Sequence, residues 1–453
     1  MKKLSIFQVS LLAGFGALAV AGVLIFAFAI GGNTGSSIGP VKIWGTLDGN
    51  AFAAVIRQAA ESNPQLAQVT YVQKDPATFD ADLTKALASG TGPDLFVLRQ
   101  DYAFKDQQEI AVIPTSAISK NSFDSTFVQA ASPFYASDSS QGALAIPIAV
   151  DPLVLYWNKD MLASGGSSQP PQYWDEVFGM AQKISAKDAS GNIQKSAIAF
   201  GEFQNVDNAK AILATLILQA GGTITDFDTA GHLVSALVPK TGSAAAAGES
   251  ALRFYTGFAD PSSDYYSWNR ALPEAQQAFA TGELALYVGY ASEQAAIARS
   301  NPNLNFGVSA LPQIRAASAT LDTARVYALA ATRAGANSSA AITAAAALAT
   351  PANAQALSSA LGLPSARRDV LSSASQQQLP GELVSKNDIC KGVDPIICSA
   401  QIARSWIDPD PDATAALFQT MIENTTSGAS LVTQSLQRAD QSLTQLLSQQ
   451  SSQ

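Results

Sequence analysis

Residues 146–162, IPIAVDPLVLYWNKDML, constrain the fold of this chain more than any other stretch. Two apolar, β-prone runs, Ile146–Val150 and Leu153–Trp157, are separated by a single Asp-Pro step. Pro152 has no N–H to give to a sheet ladder, so it belongs at a strand edge, a strand start or a break rather than inside a central strand. Asp151 puts a carboxylate into apolar sequence, which is costly to bury unless it is paired or faces a wet cleft. A strand that crosses from one lobe to another, with its carboxylate turned into the gap, satisfies both constraints.

At 453 residues the chain is too long for one small core, and two lobes are expected. Hydrophobic residues make up 47% and charged residues 14%, which suits a globular protein and argues against wholesale disorder. A formal net charge of −9 repels phosphate backbones, so nucleic acid is not an expected partner. His232 is the only histidine, which nearly rules out a Ser-His-Asp hydrolase or a His-ligated metal. Phosphate loops are absent, and no metal or cofactor is expected.

Lys2 and Lys3 precede an uncharged apolar run that ends near Ile30. Its length, roughly 20 residues, is that of a membrane-spanning helix and exceeds a signal-peptide core. Residues 1–32 are therefore expected to be an uncleaved single-pass anchor at the cell membrane, and residues 33–40 a linker. The basic end stays in the cytoplasm, which puts the rest on the extracytoplasmic side. A cleavable signal is the competing reading, with Ala27-Phe28-Ala29 as its small-x-small site. Cys390 and Cys398, the only cysteines, flank KGVDPII and read as a local disulfide outside the cell.

Strand signals at Val41–Trp44, Val69–Val72 and Asp94–Leu98 alternate with helical spacing over Phe52–Ser62 and Phe79–Ser89. This order is that of a parallel sheet with helices on its faces, whose ligands sit at the carboxyl ends of strands. A second unit follows Asp151, with strands expected at Ser196–Phe200 and Leu284–Val288 and a helix at Ala209–Ala220. Asn305–Pro312 reads as a crossing back, followed by a strand at Val326–Thr332. The remainder reads as helical, ending in an amphipathic segment with Leu431, Leu436, Leu443 and Leu447.

Four ordered blocks resemble family 1 of the bacterial extracellular solute-binding proteins, the maltose-binding group of ABC importers. They are VKIWGTLDGNAFAAVIRQAAESNP, GTGPDLFVLRQD, IPIAVDPLVLYWNKD with PPQYWDEV, and AFATGELALYVGY with NFGVSALPQI. LGLPSARRDV and ENTTSG add weaker echoes, so the likeness runs from about Val41 to Gly428. It implies an α/β, two-lobed periplasmic-binding-protein fold of type II, each lobe a mostly parallel sheet flanked by helices. Lobe 1 would comprise 41–147 and 311–340, and lobe 2 would comprise 148–310 and 341–453. The implied function is binding of a sugar or oligosaccharide by a monomer that delivers it to ABC permease subunits, with no catalysis.

By the same resemblance the ligand contacts fall at Thr46 and Asp48 after the first strand, beside Trp44, and at Leu98, Asp101 and Tyr102 after the third. Asp151 matches the crossing, Glu202, Phe203 and Gln204 the loop after the strand at Ser196, and Gly289 and Tyr290 the turn after the strand at Leu284. Carboxylates and amides bond vicinal hydroxyls, and aromatic faces stack on pyranose rings. Leu98 stands where maltose binders carry tryptophan, and Ala415 replaces another. Tyr102, Phe203, Tyr290 and either Trp268 or Trp406 remain to form a platform, and maltodextrin is disfavoured. A receptor-like sensor with a non-sugar ligand is the main alternative. A glycosidase, pairing Asp151 with Glu202 or Asp101, ranks lower.

Overall fold

The computed structural model describes residues 38–136, 142–238, 245–315, 319–335, 337–375 and 392–450, with residues 317 and 390. The anchor expected over 1–32 and residues 33–37 of the linker lie outside the described residues. Among the described residues no helix is long and apolar enough to cross a membrane.

The chain opens with three parallel strands, β1 (Val41–Gly45), β2 (Val69–Gln73) and β3 (Leu95–Arg99), joined through helices Gly49–Ser62 and Phe79–Ala88. The first helix buries Phe52, Val55, Ile56 and Ala59, the i, i+3, i+4, i+7 stripe of a helix lying on a sheet. Phe52 stacks on Tyr71 of β2 with ring centroids 4.3 Å apart.

Strand β4 (Ile146–Asn158) then runs unbroken through Pro152, which was expected at a strand edge, a strand start or a break. The missing N–H falls where the ladder changes partner: Pro152 pairs with Ala324, and Leu153 already pairs with Tyr290. The later strands are β5 (Ala186–Lys187), β6 (Ile193–Ile198), the hairpin β7 (Thr225–Phe227) with β8 (Leu233–Ser235), β9 (Leu284–Tyr290), β10 (Phe306–Ser309), β11 (Asp322–Ala331) and β12 (Ala403–Arg404). They assemble in the order β2-β1-β3-β11-β4-β9-β6-β5, with β10 beside β4 and β12 beside β11.

The sheet is mixed rather than mostly parallel. β11 is antiparallel to both β3 and β4, and β4 is antiparallel to β9 and β10. The reason is topological: the chain leaves on β4 and returns beside it on β11, so the two crossings run in opposite directions. The return is therefore β11, not Asn305–Pro312. β10 stays with the far end of β4, pairing Phe306 with Asn158.

Two apolar cores flank the crossing. One holds Ile43, Phe52, Phe96, Ile148 and Leu329, and the other Leu155, Phe200, Leu213, Phe279 and Leu286. Residues 341–371 were expected in the second lobe, yet Ala341, Leu348, Leu357 and Leu371 pack into the first core. Backbone bonds hold that stretch there: Val150 N donates to Pro364 O at 2.8 Å and Val128 N to Ala366 O at 3.0 Å. Phe418, Met421, Leu436 and Leu443 of the last two helices, Pro411–Thr426 and Val432–Gln450, pack into the second core. Cys390 and Cys398 are disulfide-bonded, with Cα atoms 5.6 Å apart.

Candidate ligand-binding site

A cavity of about 600 Å³ opens where the two cores meet. Six pieces of chain wall it. The turn after β3 brings Arg99, Asp101 and Tyr102, and the crossing strand β11 brings Thr323, Ala324 and Arg325. From the second core come Phe203 and Gln204 of the loop after β6, Lys210 of the helix Ala209–Gln219, and Tyr290 at the end of β9. The C-terminal segment closes the wall with Arg404, Trp406, Asp408, Ala415 and Gln419.

Local structure explains these placements. Gly201 has φ +97°, a conformation open to glycine, and a Cβ there would lie 2.5 Å from the Ala259 side chain. That turn swings the chain out of β6 and exposes Phe203 and Gln204 to the cavity. The helix Ala209–Gln219 is buried on almost every side, and Gln219 ties it to the return segment. Gln219 Nε2 donates to Pro312 O at 3.1 Å and to Leu321 O at 2.9 Å, and its Oε1 accepts from Trp174 Nε1 at 2.6 Å.

Charges in the wall are largely spent on one another. Arg99 forks onto Asp101, with Nε donating to Oδ1 at 3.0 Å and a second bond from Nη2. Burial pushes the Asp101 carboxyl up, but the Arg99 guanidinium and its hydrogen bonds more than offset this and hold it below the usual carboxylate range. Lys210 Nζ donates to Asp408 Oδ2 at 2.6 Å, Pro411 O at 2.9 Å and Thr414 Oγ1 at 2.6 Å, which uses all three of its protons. Burial raises Asp408 to about 6 despite that ammonium. Arg325 lies over the face of Tyr290, its Cζ 3.7 Å from the ring centroid.

Of the residues expected at the site, Asp101, Tyr102, Phe203, Gln204 and Tyr290 come together in the cavity, with Trp406 and Ala415 beside them. The others lie elsewhere. Asp151 is wholly buried and does not line the cavity; it accepts from Ser292 N at 2.9 Å and Ser292 Oγ at 2.7 Å. Asp48 caps the helix Gly49–Ser62 by accepting from Ala51 N, Thr46 is half-buried outside the cavity, and Trp44 lies under Lys74 Nζ at 3.7 Å. Leu98 is core. Glu202 pairs with Arg270 at 3.2 Å, and Trp268 is buried with Nε1 donating to Asn205 Oδ1 at 3.1 Å. Gly289 allows the close approach of Glu293, whose Oε2 would lie 2.7 Å from a Cβ at that position.

Arg99, Lys210, Arg325, Arg404 and Asp408 line the cavity without having been expected there. The signal for Arg325 was present: like Asp151, it is a charge inside an apolar β run, TARVYALAA. Arg404 and Asp408 sit in irregular sequence, and no pattern marked them.

The chain matches the family model described as bacterial extracellular solute-binding protein over residues 54–381. It is 24% identical over 300 residues, 65% of this chain and 67% of the relative, to a protein of Brucella abortus (strain 2308) named "Putative binding protein BAB2_0491". Its fold is similar to that of an ABC transporter solute-binding protein from Thermotoga lettingae TMO bound with α-D-tagatose (TM-score 0.63, 18% identity, 91% of this chain and 100% of that one). It is also similar to that of the cyclic α-maltosyl-1,6-maltose binding protein from Arthrobacter globiformis (TM-score 0.69, 16% identity, 90% and 99%). A match over most of the length, a crossing built from β4 and β11 and a cavity between two cores all agree: the chain belongs to the bacterial extracellular solute-binding protein family.

Proposed function

We propose that this protein is the solute-binding component of an ABC importer. It takes a sugar or oligosaccharide into the cavity between the cores and presents it to permease subunits at the membrane. The carrying observation is that both halves wall one cavity: Tyr102 and Arg325 on one side, Phe203 and Tyr290 on the other, with Trp406 and Gln419 from the C-terminal segment. A solute touching both sides favours their approach by its differential affinity for the closed form, with β4 and β11 as the hinge. Aromatic faces beside amides and carboxylates suit a polyhydroxylated ring. Sugar ligands of two proteins with the same fold support that choice. The protein acts as a monomer on the extracytoplasmic side, held at the membrane by its N-terminal segment, which keeps it concentrated near the permease.

The test is titration calorimetry against mono- and oligosaccharides, with product analysis of every mixture that gives heat. Binding of a carbohydrate without turnover is expected. Heat only from amino acids or peptides would contradict the sugar assignment, and turnover would make the protein an enzyme.

A further inference from the structure

We propose that Arg325 is the receptor for a carboxylate on the ligand, so that the solute is an acidic carbohydrate of the uronate class. This rests on the carbohydrate reading above and narrows it.

The inference starts from what Arg325 lacks. Among the described residues its guanidinium makes no hydrogen bond and has no carboxylate within ion-pair distance; its close contact is the ring of Tyr290 at 3.7 Å. Its neighbours are already committed. Asp101 is forked by Arg99, and Asp151, opposite Arg325 in the β4–β11 register, is held by Ser292. Lys210 is consumed by Asp408, Pro411 and Thr414, and Arg404 Nη1 donates to the carbonyls of Ile402 and Ala403. A cation lining a cavity with its donors unspent is positioned to meet a ligand acceptor.

The position is also rigid. The Gln100 amide grips the backbone on both sides of Arg325: Nε2 donates to Ala324 O at 3.1 Å, and Oε1 accepts from Val326 N at 2.6 Å. Stacking on Tyr290 restrains the guanidinium and leaves its N–H edge for a planar, two-oxygen acceptor. A carboxylate fits better than a dianionic phosphate, since the wall carries as many acidic side chains as basic ones.

The experiment titrates D-glucuronate and D-galacturonate, their neutral aldoses, and the corresponding uronic and neutral disaccharides into the full chain and its Arg325→Gln and Arg325→Lys variants. Melting curves confirm that the variants fold. Wild type is expected to bind at least one uronate about tenfold or more tighter than its neutral counterpart. Arg325→Gln should remove that preference by weakening uronate binding about tenfold more than neutral-sugar binding, and Arg325→Lys should restore part of it. Neutral sugars binding as tightly as uronates in wild type, or a preference that survives Arg325→Gln, would overturn the assignment and leave the carbohydrate reading intact. A folded protein that binds no carbohydrate, charged or neutral, would overturn both.

Discussion

Asp151 and Arg325 face each other in register across β4 and β11, and between them they show how one sequence signal divides into two roles. Both are charges inside apolar strands. Asp151 is buried with its oxygens satisfied by Ser292, so it acts on the crossing rather than on a solute. Asp151→Ala strands the Ser292 N–H and should cost about 2 kcal/mol of unfolding free energy, read from urea denaturation. Asp101 and Tyr102 were legible because they follow the third strand's end, where sheets of this kind bind, and Phe203, Gln204 and Tyr290 through the family resemblance. The destination of Asp151 was not legible, because its partner lies 141 residues away and the facing of a strand residue depends on a register that one strand does not reveal. Arg325 was overlooked because its strand was expected to begin at Val326, whereas β11 begins at Asp322.

At the scale of elements, the helix Ala209–Gln219 and strand β11 connect the cavity to the hinge. Replacing Gln219 with Leu would leave Trp174 Nε1, Pro312 O and Leu321 O without their partner, and should destabilise the protein by about 2–3 kcal/mol in denaturant titration. Asp322, wholly buried at the start of β11, has its carboxyl pushed up to about 7 chiefly by that burial. A raised carboxyl favours the neutral acid in the folded state, so its ionisation costs stability. The cost is absent below the unfolded value near 4, grows as pH rises toward 7 and is complete above it. Asp322→Asn should therefore match wild type at pH 4 and exceed it by about 1–2 kcal/mol at pH 8 in paired thermal melts. Burial acts on Asp408 in the same direction, which is why the comparison is made between variant and wild type. The strands and helices themselves were legible from periodicity. Their pairing was not: the antiparallel return beside β4 depends on contacts spanning more than 170 residues.

Across the whole molecule, the two cores meet at the cavity, while the Cys390–Cys398 bridge lies outside it. Replacing both cysteines with serine should lower stability by up to about 2–3 kcal/mol, the chain-entropy value for so short a loop, and leave ligand affinity unchanged. Stability and binding are thus separable here, because the staple and the solute site use different residues. The division into two halves could be read from length and from the Asp-Pro crossing, whereas the return of residues 341–371 to the first core could not, since Ala-rich helices carry little indication of which surface they cover. The claim that a carbohydrate is held between the halves is tested most directly by titrating a sugar that binds wild type into Tyr290→Ala and Trp406→Ala, with melting curves as the folding control. Each substitution removes one aromatic face of the cavity and is expected to weaken binding by about 1–2 kcal/mol. Unchanged affinity in both folded variants would place the solute elsewhere and contradict the account.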